Sequence, residues 1–533
     1  MKRISRLFTK TARAMAGLLT LFFTLNAAAA PLTLTFAWPQ NVGPLNPHLY
    51  TPNQMFAQSM VYEPLVKYDA KGGVTPWLAQ RWTISADGKT YLFTLRHNVR
   101  FSNNEPFTAQ AVVANFQAIL ANRSRHAWLE LANRIDSVEA VDEDHVKLHL
   151  KSAYYPTLQE LALPRPFRFI APSQFVAGGT RNGIKQPIGT GPWILKESQL
   201  GESDLFVRNP HYWGTEPTYQ QIRVKVIPDP VSRAMALESG DVDLLYGIDG
   251  VVLPDTFERL KQQGQYHIRL SSPMQTEMIA INSQHPPLND LAVRQAINRA
   301  VDKQTLVATL LHHTEQPAAT LFARNVPYAN FPLSPYHYDP SAAAQQLEQA
   351  GWHLEKGQQW RTRQGQPLTL SLAYIGTDAV SKSLAEVIQG NLRHLGINLQ
   401  LIAEEESSIY ARQRNGQFDL IFNQSWGPPY DPHAFLSSMR APSHADYQAQ
   451  KGLPDKKIID QEISQVLSSQ NDSERQTLYK DILTRLHQDA IYLPLTYVPI
   501  MLIANRSLAD FEFPPLSSDI PFEQMKPRSD VSP

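Results

Sequence analysis

Across 533 residues the chain carries 49 basic and 49 acidic side chains, 43% hydrophobic residues and no cysteine. Disulfide stapling is excluded, and the apolar content is large enough for a buried core to stabilise the fold instead. The charge balance argues against nucleic acid or an anionic membrane as partner.

The first 30 residues read as a secretory signal. Lys2, Arg3, Arg6, Lys10 and Arg13 make a basic start, an apolar run spans Ala14 to Leu25, and Ala27 to Ala30 offer small-residue cleavage positions. The run is short of the roughly 20 residues that span a bilayer, and no other segment is long and apolar enough. Without a cysteine there is no lipoprotein anchor, so the expected location of the mature chain is the periplasm. Cleavage would remove five basic residues and leave 44 against 49 acidic ones. Prolines and glycines are spread along the chain, as suits many short elements joined by fixed turns.

Val112, Phe116, Ile119 and Leu120 recur at helical spacing behind the cap candidate Thr108. Val146, Leu148 and Leu150 alternate with Lys147 and His149 as on a half-buried strand. Further on, Val293, Ala296, Ile297, Ala300 and Val301 mark a helix with one buried face. Asp339 and Pro340 open another, which Gly351 ends. From Leu368 a strand, a helix (Val380 to Leu395), Gly396 and a strand (Ile397 to Leu401) follow one another. That order is a βαβ crossover and predicts parallel pairing. An apolar strand, Phe418 to Phe422, then leads into the loop Trp426 to Pro432. Ligands of open α/β sheets sit at the carboxyl ends of strands, which makes this loop a candidate site.

The signatures of common catalysis are absent: there is no GxSxG elbow, P-loop, HExxH helix or GxGxxG turn. No catalytic cofactor or enzymatic activity is expected. The 16 histidines are scattered, and the pair His312 and His313 reads as a solvated helix end. Glu404, Glu405 and Glu406 read as a solvated loop in preference to a cation cage. Arginines beside aromatics are more suggestive. Arg123, Arg125 and Trp128 follow the helix that starts after Thr108, while Arg165 and Arg168 flank Pro166 and Phe167. Such arginines can grip carboxylates, or they can complement helix C-termini and surface acids.

Five stretches in order resemble the dipeptide, oligopeptide and nickel family of ABC-importer binding proteins, solute-binding family 5. They are FTLRHNVRFSNNEPFTAQAV from Phe93, IGTGPW from Ile188, ALESGDVDLLYG from Ala236, RQAINRAVDK from Arg294 and YDPSAAAQQLEQAGW from Tyr338. The resemblance runs through essentially the whole mature chain. RHAWLELANRI, EEESSIYARQRNGQFDLIF and WGPPYDPHAFLSSMRAPSHADYQAQ are similar to the nickel-binding members. Peptide-binding members usually carry an aspartate in the loop after the tryptophan that grips the peptide amine. Pro428, Pro429 and Tyr430 stand at the corresponding stretch here.

The resemblance implies a two-lobed α/β fold of the periplasmic-binding-protein (Venus flytrap) type, with mixed sheets flanked by helices and an enlarged first lobe. Its expected divisions are a signal peptide at 1–30, lobe I at 31–274 plus 501–533, and lobe II at 275–500. The implied ligand is nickel as transported cargo inside a small organic chelator, with the membrane permease subunits of an ABC importer as partners and a monomer as the working form. Dipeptides, oligopeptides and haem are the alternatives within the family. Carried over residue by residue, Arg165 would pair with a chelator carboxylate, with Arg125 nearby. Trp128, Trp426, Tyr430, Tyr410, Tyr50 and Met55 would line the walls. Ser518 stands where relatives tend to have threonine, and His444 would supply an imidazole to the metal. Asn423 and Gln424 replace a His and an Arg found in a close relative.

Overall fold

The computed structural model describes residues 31–49, 54–248 and 251–529. The expected signal at 1–30 and the wall residue Tyr50 lie outside them. Among the described residues no helix is long and apolar enough to cross a membrane.

The frame is an 11-stranded mixed sheet. Its middle is made by two long antiparallel strands, Tyr266–Ile281 and Tyr492–Asn505, which pair from Tyr266 opposite Asn505 to Ala280 opposite Tyr492. Thr33–Trp38, Trp193–Gln199, Ser203–Arg208, Gln221–Val226 and Leu244–Gly247 build one half of the sheet. Thr369–Ile375, Asn398–Glu404 and Leu420–Gln424 build the other, and the short eleventh strand, Gln316–Pro317, pairs alongside Tyr492–Asn505. The ladder shifts register around Pro273, which faces Pro499. Proline has no N–H to give to a ladder, so two facing prolines interrupt pairing where the halves meet.

The expected βαβ unit is present. Thr369–Ile375 and Asn398–Glu404 run parallel in unbroken register, joined by helix Ala379–His394. Apolar residues fall at helical spacing in that helix and bury Ala385, Ile388 and Leu392 against the sheet. Thr108 Oγ1 accepts from Ala111 N and caps helix Ala109–Ala121. Asp339 caps Pro340–Gln349 through Ala342 N. The strand His145–Leu150 alternates between half-buried and buried residues, as its sequence predicts, within a separate four-stranded sheet with Ala79–Ile84, Thr90–Leu95 and Ile135–Ala140. This sheet enlarges the first lobe.

Separate apolar cores lie in each half, one around Phe36, Phe56 and Leu502, the other around Ile297, Leu372 and Ile388. The largest core is not confined to one half. It joins residues of 65–171 to residues of 409–492, a contact made away from the central sheet. Glu404 takes both ends of the Arg412 fork, Glu405 starts helix Glu406–Asn415, and Glu406 accepts from Tyr410, which makes this acidic run the solvated start of a helix. His312 and His313 follow helix Lys303–Thr309, and His312 Nε2 meets Asp255 Oδ1 at 2.7 Å.

Candidate functional site

A cavity of about 1040 Å³ opens where the sheet halves meet. Trp128, Arg165, Met55 and Met501 face it from one side. Trp426, Tyr430, Tyr410 and His444 face it from the other.

Trp128 sits between the 3-10 turn Arg123–His126 and helix Glu130–Arg134. The Arg165 guanidinium lies over its ring, 4.7 Å from the centroid. A guanidinium stacked on an indole face directs its in-plane N–H groups away from the ring. Positive charge concentrates in this corner. Burial, then Arg125 and Arg165, push the His126 pKa down to about 4.

The opposite wall is set by the loop that begins at Trp426. Gly427 adopts φ +73, and a side chain there would press on Gln275 at 3.0 Å and on the Met274 carbonyl at 3.2 Å. The Asp431 carboxylate closes the loop by accepting from Trp426 N (3.1 Å) and Gly427 N (2.9 Å). Burial raises its pKa to about 6 despite these bonds and one from Ser425. The loop's carboxylate is thus consumed by the loop itself and does not line the main cavity. A peptide amine finds no loop carboxylate there.

The aromatics form a connected cage. Trp128 and Tyr430 have centroids 6.2 Å apart, Trp426 meets Tyr430 edge-on at 6.1 Å, and the His444 ring lies 5.8 Å from Trp426. Tyr430 is 6% exposed, and its hydroxyl has no hydrogen-bond partner among the described residues. A buried hydroxyl left open toward a cavity is a position for a ligand to fill.

His444 precedes helix Ala445–Gln450, and burial lowers its pKa. The neutral ring, with a nitrogen lone pair available to a metal, therefore persists below the usual histidine range. Among the described residues no group of three or more His, Cys, Asp or Glu is placed to hold a metal ion. A metal at His444 would need most of its ligands from elsewhere.

Of the ten site residues expected from sequence, Arg165, Trp128, Trp426, Tyr430, Tyr410, Met55 and His444 line one cavity. Tyr410 stands at its rim, 46% exposed. Arg125 and Ser518 are not in the wall: Arg125 lies in the turn before Trp128, and Ser518 in the chain beside Ser517, whose hydroxyl approaches Gly427. Arg123 and Arg168 are structural. Arg123 donates to Ile135 O, while Arg168 donates to Leu163, Tyr62 and Ala162 carbonyls. For these two the capping alternative describes the outcome better than a carboxylate clamp.

Sequence reading missed Asp446. It is buried in the cavity wall beside His444, and Asn423 Nδ2 (2.9 Å) and Tyr492 Oη (2.7 Å) both donate to it. Burial raises its pKa to about 6. An acid in a helix's first turn reads as dipole compensation, so nothing local marks it. Its bond to Asn423 does give that departure from the relative a neighbour.

Residues 73–447 match the profile of the bacterial extracellular solute-binding proteins, family 5 (middle). The chain is 59% identical over 500 residues to the nickel-binding periplasmic protein of Escherichia coli, covering 94% of this chain and 95% of that one. The crystal structure of NikA from Brucella suis in complex with Fe(III)-EDTA superposes with a TM-score of 0.92 at 59% identity, covering 93% of this chain and all of that one. A more distant relative is di/tripeptide-binding protein 2 of Pseudomonas aeruginosa, 26% identical, with 94% of this chain and 97% of that one covered.

Proposed function

Because the chain belongs to the bacterial extracellular solute-binding proteins of family 5, we propose that it is the exported, periplasmic binding protein of a nickel ABC importer. In this reading it captures nickel inside a small organic chelate and delivers it, as a monomer, to the importer's membrane permease subunits. The observation that carries it is the pairing, across one cavity, of a cation seated on an indole with a half-buried imidazole whose pKa is lowered, where the described residues offer no cage for a bare ion. An anionic chelate would give its carboxylate to Arg165 and leave the metal facing His444. The relatives add support, since one is named for nickel and the other was crystallised with a metal chelate.

Closure would turn about the register breaks at Pro273 and Pro499, with lobe I as residues 31–274 plus 501–533 and lobe II as 275–500. Arg165 and Trp128 then belong to one lobe, Trp426, Tyr430 and His444 to the other. Contacts that exist only when both lobes meet the ligand favour the closed state.

Protein purified without added metal, followed by native mass spectrometry and thermal melting, tests the reading. Nickel(II) with L-histidine should add its mass and raise the melting temperature more than nickel(II) alone, dipeptides or haem. A larger shift with dipeptides or haem, or equal shifts with all, would reject nickel chelate as the ligand.

A further inference from the structure

Helix Glu130–Arg134 begins two residues after the cavity tryptophan Trp128, and Arg440 lies four residues before His444. These two segments, one from each lobe, are tied directly. Arg440 Nη2 donates to Glu130 Oε2 at 2.7 Å, and Ser437 Oγ donates to the same oxygen at 2.8 Å. The other oxygen, Oε1, takes Arg134 Nε at 2.8 Å from the same helix. The three charged side chains are 17 to 24% exposed, well shielded for an ion cluster. Burial by itself raises the Glu130 pKa, but Arg440 and Arg134 outweigh it and hold the carboxyl below its usual range.

Each half of this contact has a partner within its own lobe. With the lobes apart, Glu130 keeps Arg134. Arg440 keeps Ser464 Oγ, to which its Nη1 donates at 2.9 Å, and Ser437 Oγ, 2.9 Å from Nη2. Separation therefore strands no shielded charge, which is the cost that makes most buried ion pairs hard to open. Arg168, whose three carbonyl partners all come from its own lobe, has no such freedom.

We propose that Glu130 and Arg440 form a reversible closure latch. It makes no contact with ligand, yet it sets how long the ligand stays, by holding the Trp128 and His444 segments together. Glu130 and Arg440 are positioning residues in this role. The inference rests on the two-lobe capture reading above.

Release of nickel(II)–L-histidine, followed by stopped-flow fluorescence of the cavity tryptophans, tests it in wild type, Glu130→Gln, Arg440→Gln and the double variant. Each single variant should release roughly 5- to 30-fold faster, as expected for a shielded interaction of one or two kcal/mol. The double variant should be no faster than the worse single one, because both remove the same contact. Ligand-free melting temperature should fall less than the ligand-bound one, because the own-lobe bonds lost with each side chain count in both states while the contact between the lobes counts only in the closed one. Arg440→Lys, which retains the charge, should recover part of the lost residence time and carries the same test if a neutral variant does not fold. Unchanged release rates, additive effects, or equal losses of ligand-free and ligand-bound stability would overturn the latch and leave the pair a static tie. A wild type that binds neither nickel(II)–L-histidine nor iron(III)–EDTA would instead overturn the capture reading, and the latch with it.

Discussion

Arg165 and Arg168 stand three residues apart around Pro166 and Phe167, yet the protein treats their charges in opposite ways. Arg168 is 4% exposed, its guanidinium is spread over three backbone carbonyls, and burial lowers its pKa to about 10. Its own carbonyl meets His48 Nε2 at 3.0 Å. Because a carbonyl can only accept, Nε2 carries the proton and Thr180 donates to Nδ1. Every polar end in that network is matched by protein. In the cavity the matching is incomplete: Tyr430 offers it a hydroxyl without a partner among the described residues, and Arg165 faces it from an indole. A folded chain leaves shielded polar groups open at a cost, so the contrast supports the cavity as the proposed ligand site.

The comparison can be broken most forcefully from the Arg168 side. Arg168→Ala removes donors from three carbonyls within the core, and we expect a loss of about 3 to 5 kcal/mol of stability. Urea unfolding of the ligand-free protein measures it. A loss under about 1 kcal/mol, the level of an exposed pair, would mean that the network does not depend on its cation. Arg165→Ala should do the reverse. The ligand-free unfolding midpoint should hold, while affinity for a nickel–carboxylate chelate falls roughly 10²- to 10³-fold through loss of one side of a desolvated charge pair. Calorimetry giving near-normal affinity for folded Arg165→Ala would remove the clamp.

Local sequence could not have separated these two arginines. Both sit in the same short stretch beside proline and phenylalanine, and one becomes structural only because the fold turns the Leu163 and Ala162 carbonyls onto it and brings up the Tyr62 backbone from about a hundred positions earlier. The parts legible in sequence are those whose cause is local. The shift from alternation to helical spacing and back exposed the parallel unit at Thr369–Glu404, and Thr108 and Asp339 marked helix starts that the structure caps as expected. The central strand pair was not legible, because Tyr266–Ile281 is broken at Pro273 and its partner lies more than 200 residues on. The cavity's aromatic wall came from family resemblance, and the same source carried in Arg125 and Ser518, which are not in the wall. Asp446 needed the fold itself, since only the approach of Asn423 and Tyr492 reveals it as a buried acid.

His444 sharpens the comparison at intermediate size. With direct coordination, His444→Ala should weaken a chelate with open positions, nickel(II) with one equivalent of L-histidine, by roughly tenfold, or about 1.4 kcal/mol. Nickel–EDTA, which needs no further ligand, should be little affected. The pH dependence follows from the direction of the shift. Burial lowers the folded pKa, so the coordinating form is present above that lowered value and is lost as pH falls through it. Wild-type affinity for the open chelate should thus hold below the free-histidine value of about 6.5 before it drops. The mutant, which reports chelator protonation alone, should decline less steeply. Equal losses for both chelates and parallel pH profiles would take His444 off the metal.

The smallest expected effect is the one with two opposite signs. Tyr430→Phe removes a hydroxyl that is shielded from water and has no protein partner among the described residues, while it keeps the ring contacts with Trp128 and Trp426. An unmatched buried hydroxyl costs stability, so its removal should leave the ligand-free protein unchanged or more stable by up to about 1 kcal/mol. If the ligand supplies the missing partner, the same change should weaken capture by roughly 3- to 10-fold, the scale of one hydrogen bond. A tyrosine that only fills space would give no loss of affinity. One matched within the protein would give a loss of ligand-free stability. Only a hydroxyl held in reserve for the ligand moves the melting temperature and the affinity in opposite directions, and melting together with calorimetry on this single variant reads both.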